Sequence, residues 1–210
     1  MLEHVPGWLG HALRGFRAGS EKLVIVELSR GVEASLDLSS PAFANGARLP
    51  ERFTGDGAGV SPPLLWGKVP QGTERLALIV EDPDAPTPSP LVHGIVWNLD
   101  PDGGGLSEGA IVADGDGDSD GDADLRKDVG RNSFREGWLP PDPPTGHGVH
   151  HYAFQLFALS GAATPGATPG RSAMIEAMRG HVLAAGLLTG TYSRGEEAPV
   201  GPVGAVVRSV

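Results

Sequence analysis

SPPLLWGKVPQGTERLALIVEDPDAPTPSPLVHGIVWNLD, residues Ser61 to Asp100, decides the fold. It holds an apolar run at Leu76 to Val80, a break at Glu81-Asp82-Pro83-Asp84-Ala85-Pro86, and a second apolar run carrying His93. Runs of this length bounded by Asp and Pro read as strands. Carboxylates and a histidine therefore stand at strand ends beside backbone stiffened by proline. Loops on a rigid scaffold are where binding groups sit, so the segment implies a pocket.

Outward from it, Thr73 to Val80, Val92 to Leu99 and Tyr152 to Leu159 read as the main strands. Lys22 to Leu28 and Ala34 to Leu38 read as shorter ones, and Gly190 to Ser193 as a last one. YAFQLFAL is apolar enough for a strand covered on both faces. Met174 to Leu188 has helical periodicity, with Ser172 as a candidate cap and Gly190 just past its end. Consecutive strands lack helix-length spacers, and 32 Gly with 19 Pro supply many turns. The expected class is mainly β, an antiparallel β-sandwich with a few peripheral helices. Residues 1–20, where Trp8, Leu9, Ala12, Leu13 and Phe16 recur at helical spacing opposite His11, Arg14 and Arg17, are expected to form an amphipathic helical extension. Residues 21–210 are expected to form one domain, with an Asp/Gly-rich insertion at about 113–128.

Composition narrows the function classes. With 16 basic against 26 acidic residues the net charge is −10, which argues against nucleic acid as a partner. No apolar run approaches the roughly 18 residues that cross a bilayer, and two arginines are few for an interfacial helix, so membrane association is not expected. The absence of cysteine removes disulfides, thiol catalysis and thiolate metal sites. The N-terminus lacks an apolar signal region, and the expected location is the cytoplasm. The apolar N-terminal helix suits docking on the body or on a second copy in a homodimer.

Asp116, Asp118, Asp120 and Gly121 match the opening of a calcium-binding loop, but the twelfth position is Lys127 rather than Glu. Alternating Asp and Gly is equally the composition of a solvated loop. No compact His/Asp metal spacing and no nucleophile elbow are present, and no cofactor is expected. The remaining chemistry is a carboxylate at Asp82, imidazoles at His93 and in Gly146-His147-Gly148-Val149-His150-His151-Tyr152, and the Tyr152 hydroxyl. Such a set suits a small oxyanion. Adjacent His150 and His151 at a strand start point to opposite faces.

Taken in order, SPPLLW, ALIVEDPDAP, VHGIVWNL, GRNSF, PPTGHGVHHYAFQLFAL and GHVLAAGLLTGTYSR resemble the phosphatidylethanolamine-binding protein family, which includes Raf kinase inhibitor protein, and most of all its bacterial branch. The resemblance implies a β-sandwich with an anion pocket at one end. It places the family's pocket residues on Asp82, Ala85, Pro86, His93, His150 and Tyr152, and an outward structural position on His151. Trp138 stands where the family's rim commonly has Tyr, and Leu139-Pro140 replace glycines, so a bulkier rim is expected, with Asp142 adding negative charge. The family also implies cis peptides near these prolines.

The expected function is a non-enzymatic binding protein for phosphate, a phospholipid headgroup or a carboxylate, with a protein partner as a regulatory target. His93, His150 and Tyr152 would donate to the oxyanion. An alternative is a small-substrate hydrolase or isomerase using an Asp82/His93 acid–base pair. A protease or kinase inhibitor is a third reading, by analogy with the family alone.

Overall fold

The computed structural model describes residues 7–112 and 127–194. Its framework is a large sheet in which every long strand has two apolar faces. In β4 (Arg75–Asp82) the residues Leu76, Leu78 and Val80 point one way and Ala77 and Ile79 the other, and all five are buried. A strand needs both parities apolar only when both faces are covered. It pairs antiparallel with β5 (Leu91–Leu99) and with β8 (His150–Leu159), the latter in unbroken register from Arg75↔Leu159 to Glu81↔Ala153.

The six-stranded sheet is completed by β9 (Val182–Tyr192), by β7 (Asp128–Val129) and by β1 (Ala34–Ser35), in the order β1-β9-β8-β4-β5-β7. Only the β1–β9 pair is parallel among these pairings. A second sheet of β2 (Leu38–Ser39), β3 (Leu64–Trp66) and β6 (Gly105–Leu106) lies over one face. Between the sheets sit Leu64, Trp66, Leu78, Val80, Tyr152, Phe154 and Leu156. The opposite face packs against α2 (Val24–Leu28) and α3 (Arg171–Met178) through Val24, Met174, Ile175 and Met178. The mainly β sandwich with peripheral helices is therefore the fold.

Three local expectations are corrected. Lys22 to Leu28 is a short helical segment, not a strand. Its first amides are held by sheet side chains: Val24 N–H donates to Glu81 Oε2 (3.0 Å) and Ile25 N–H to Gln155 Oε1 (2.7 Å). The helix expected over Met174 to Leu188 runs only Arg171–Met178, starts after Gly170 without a Ser172 cap, and gives way at Gly180 (φ 80°) to β9. Gly190 accordingly lies within a strand. Ala34 to Leu38 divides into β1 and β2, which belong to different sheets.

At the N-terminus α1 spans Gly7–Leu13, shorter than expected. It docks through Gly10, because a Cβ there would lie 2.1 Å from Thr145 O. The aromatic stripe does not face the body: Trp8 is 69% and Phe16 67% exposed. No cis peptide occurs among the described residues, in contrast to what the resemblance implied. The candidate calcium ligands Asp116, Asp118 and Asp120 lie outside the described residues. Among those described, no helix is long and apolar enough to cross a membrane.

Candidate functional site

The site gathers at the end of the sandwich interior where β4, β5 and β8 terminate. Strand parity puts Asp82 after Leu78 and Val80 on the inter-sheet face, and His150 on the same face of β8 as Tyr152. His93 arrives by a different route. On β5, Gly94 pairs with Val80 and Val92 with Glu81, so His93 has no partner on β4. It is the extra residue of a β-bulge, and that insertion lets its side chain join the inter-sheet cluster although Val92 and Ile95 face the helices. The His93 ring lies edge-on to Tyr152, with centroids 5.0 Å apart, and 6.2 Å from Trp138, which stacks on Phe154.

The loop bearing Trp138 is built around Asn132, which is 4% exposed. Its amide donates to Gly137 O (2.9 Å), and its carbonyl accepts from the N–H groups of Phe134 and Arg135 (2.9 Å each). Leu139 then clamps the bulge twice: its N–H donates to His93 O (2.7 Å), and its carbonyl accepts from His93 Nδ1 (2.7 Å). Burial holds His93 below the ordinary histidine range, against the pull of Asp82.

Asp82 is 3% and His150 1% exposed. His150 Nδ1 lies 2.7 Å from Asp82 Oδ2, while Asp82 Oδ1 accepts from Asp84 N–H (2.8 Å). The other nitrogen of His150 lies 2.7 Å from His147 Nδ1, and His147 Nε2 donates to Leu13 O (2.9 Å). Burial, then the neighbouring His150, lowers the His147 pKa. The imidazole oriented by Asp82 is thus His150, and no hydrogen bond joins Asp82 to His93, the pair on which the alternative enzymatic reading rested. Three polar atoms of the cluster are buried with no hydrogen-bond partner: His93 Nε2, Tyr152 Oη and Trp138 Nε1.

The remaining candidates form the wall and the rim. Ala85 is buried and its carbonyl accepts from Ala18 N–H (3.0 Å), while Pro83 O accepts from Gly19 N–H (2.9 Å). Arg17 pairs with Asp84 and donates to Val149 O (3.1 Å). His151, half exposed, bonds Asp84 Oδ2 through its ring and its N–H (2.7 Å each), which suits the outward position expected for it. Burial opposes ionisation of Asp84, yet the His151 and Arg17 hydrogen bonds hold its pKa down to about 2. Pro86 lines a cavity of about 270 Å³ with Phe16, Arg17, Thr87 and Pro88. A larger cavity, about 410 Å³, touches the site only at Trp138, so volume alone does not mark the polar cluster.

At the rim the negative charge expected of Asp142 is paired. It pairs with Arg194, whose Nε also donates to Asp56 (2.8 and 2.9 Å) while Tyr192 donates to the same carboxylate (2.7 Å). Sequence reasoning gave no site role to Arg17 or Arg194, named Leu139 only as rim bulk, and named His147 only as a member of the Gly146–Tyr152 cluster. Only His147 carried a signal, lying between Gly146 and Gly148, whose φ values of 83° and 107° fall in the left-handed region that favours glycine. Among the described residues no group of three His, Asp or Glu side chains is placed to hold a metal ion.

The pattern describing the phosphatidylethanolamine-binding protein family matches residues 39–193. A UPF0098 protein of Methanothermobacter thermautotrophicus is 40% identical over 162 residues, covering 76% of this chain and 100% of its own length. Among solved structures, the family homologue CT736 of Chlamydia trachomatis is 33% identical with a TM-score of 0.66, covering 77% of this chain and 99% of its own. Escherichia coli YbcL, described as a new member of the mammalian family, is 30% identical with a TM-score of 0.67, covering 76% and 99%. Residues 7–19, which contact His147, Asp84 and Ala85 through Leu13, Arg17 and Ala18, precede the matched region. The chain belongs to the phosphatidylethanolamine-binding protein family.

Proposed function

We propose that this is a non-enzymatic binding protein whose pocket, bounded by Asp82, Ala85, Pro86, His93, Trp138, His150 and Tyr152, takes the oxyanion-type head of a small ligand, phosphate-like or carboxylate. The observation that carries this reading is the trio of buried, unpartnered polar atoms on His93, Tyr152 and Trp138. A buried polar group without a partner costs about 1–3 kcal/mol, so three on adjoining rings indicate a place meant to be filled. The Asp82–His150 pair is a wall that orients, since both ring nitrogens of His150 are already engaged. Entry requires displacing either the Trp138 ring or the Phe16–Arg17 turn, each of which borders a cavity.

The test is histidine ring NMR during titration with inorganic phosphate and with acetate, each to millimolar concentration. Binding here shifts the His93 ring resonances and leaves the exposed His181 unmoved. If neither anion moves His93, the reading is wrong.

A further inference from the structure

Three unfilled polar atoms also say which hydrogens the ligand must bring. Leu139 O has no hydrogen to give, so His93 Nδ1 at 2.7 Å carries one and donates it. Burial keeps the ring neutral near neutral pH, and a neutral imidazole with hydrogen on Nδ1 has only a lone pair at Nε2. Tyr152 keeps its phenolic hydrogen, because burial and then the nearby Asp82 and Asp142 push its pKa well up. The pocket thus offers an acceptor at His93 and donors at Tyr152 and Trp138. A fully ionised carboxylate or phosphate would set an oxygen lone pair against His93 Nε2.

The surrounding charges do not relieve that mismatch. Asp82 on β4 engages His150 of β8, Asp142 of the rim engages Arg194, and Asp84 engages Arg17 and His151. The two guanidiniums, Arg194 and Arg17, each already face a carboxylate, so neither is left over to draw in a dianion.

We propose that the pocket selects an oxyacid that retains one O–H, a phosphate monoester monoanion or a carboxylic acid, donating that hydrogen to His93 Nε2 while Tyr152 donates to a second ligand oxygen. This rests on the anion-pocket reading above and narrows it. A phosphodiester has no such hydrogen, and the pocket discriminates against it.

Methyl phosphate tests this by calorimetry on the whole chain. Its last proton leaves near about pH 6, so above that binding must draw a proton from solution. Heats measured in two buffers of different ionisation enthalpy should give an uptake of about one proton per site, and affinity should fall about tenfold per pH unit above about pH 7. Dimethyl phosphate should bind more weakly than methyl phosphate below about pH 7 and show no pH slope. His93→Gln places an amide N–H where the lone pair was, so methyl phosphate should still bind while proton uptake and pH slope disappear. Tyr152→Phe should weaken binding and leave the uptake unchanged. Binding of methyl phosphate with no proton uptake and a flat pH profile overturns the proposal and leaves the anion pocket standing. No heat at any pH overturns both.

Discussion

Replacing Gly10 with Ala asks whether α1 belongs to the pocket wall. Alanine is the better helix former by about 0.8–1.0 kcal/mol, so helix propensity alone predicts stabilisation. The geometry predicts the reverse. A Cβ at residue 10 would lie 2.1 Å from Thr145 O and 3.0 Å from His147 N, both backbone atoms that no rotamer change can move. Ordinary contact begins near about 3.4 Å, so α1 must retreat by about 1 Å. The Leu13 O to His147 bond, now 2.9 Å, then passes out of range. Losing that bond exposes a buried His147 nitrogen, a penalty of about 1–3 kcal/mol, which exceeds the propensity gain. Native-state hydrogen exchange and the His147 ring shifts report the outcome. Amides of residues 13–19 should lose protection while those of β4 and β8 keep theirs. Gly15→Ala is the control, since nothing lies within 4 Å of its Cβ position and its φ is unrestricted. Undiminished protection in Gly10→Ala, with His147 unshifted, would refute the reasoning.

Two further perturbations follow from buried charges. Asp84 has its pKa depressed to about 2, so its contribution to stability is complete above the unfolded value near about 4 and is lost as pH falls from there towards 2. Urea midpoints of Asp84→Asn should be lower than wild type near neutral pH and converge with it below about pH 2; parallel curves would show that the carboxylate is not the source. Glu81 is 0% exposed and accepts from Arg171 Nε (2.6 Å), Gln155 Nε2 (2.8 Å) and Val24 N–H (3.0 Å). Glu81→Gln turns one acceptor into a donor amid donors and should destabilise by about 3–5 kcal/mol in denaturant titrations. A change under about 1 kcal/mol would mean that solvent substitutes for the carboxylate.

How much of this was legible depends on the kind of interaction. β4, β5 and β8 were readable because strands covered on both faces have no polar parity to confuse the run. VIVEL was not, since its β-branched residues favour a strand locally, while what caps and packs it as a helix, the side chains of Glu81 and Gln155 and the α3 residues around Val24, lies far along the chain. VLAAGLL misled for the opposite reason. Its small residues look helical, yet they serve close approach between strands: a Cβ on Gly186 would meet Leu36 O at 2.6 Å. At the site, Asp82, His93, His150 and Tyr152 were found from residue type and resemblance. The bulge that turns His93 inward depends on pairing with another strand, and alternation within one strand cannot reveal it. Leu13 and Arg17, which bond His147 and Asp84, come from a segment that shares no local pattern with the pocket.

The row of contacts from Asp82 through His150 and His147 to Leu13 also fixes a number of hydrogens. Both ends only accept: a carboxylate at one, a peptide carbonyl at the other. Three links therefore need three ring hydrogens on two imidazoles, one more than a neutral pair holds. With two, one link is broken; with four, two N–H groups oppose each other across the His147–His150 contact. The array is complete at a single charge state, one positive imidazole pair against one carboxylate. A proton gained or lost at the wall thus severs a link between the sandwich interior and a peptide carbonyl at the far N-terminal end of the chain.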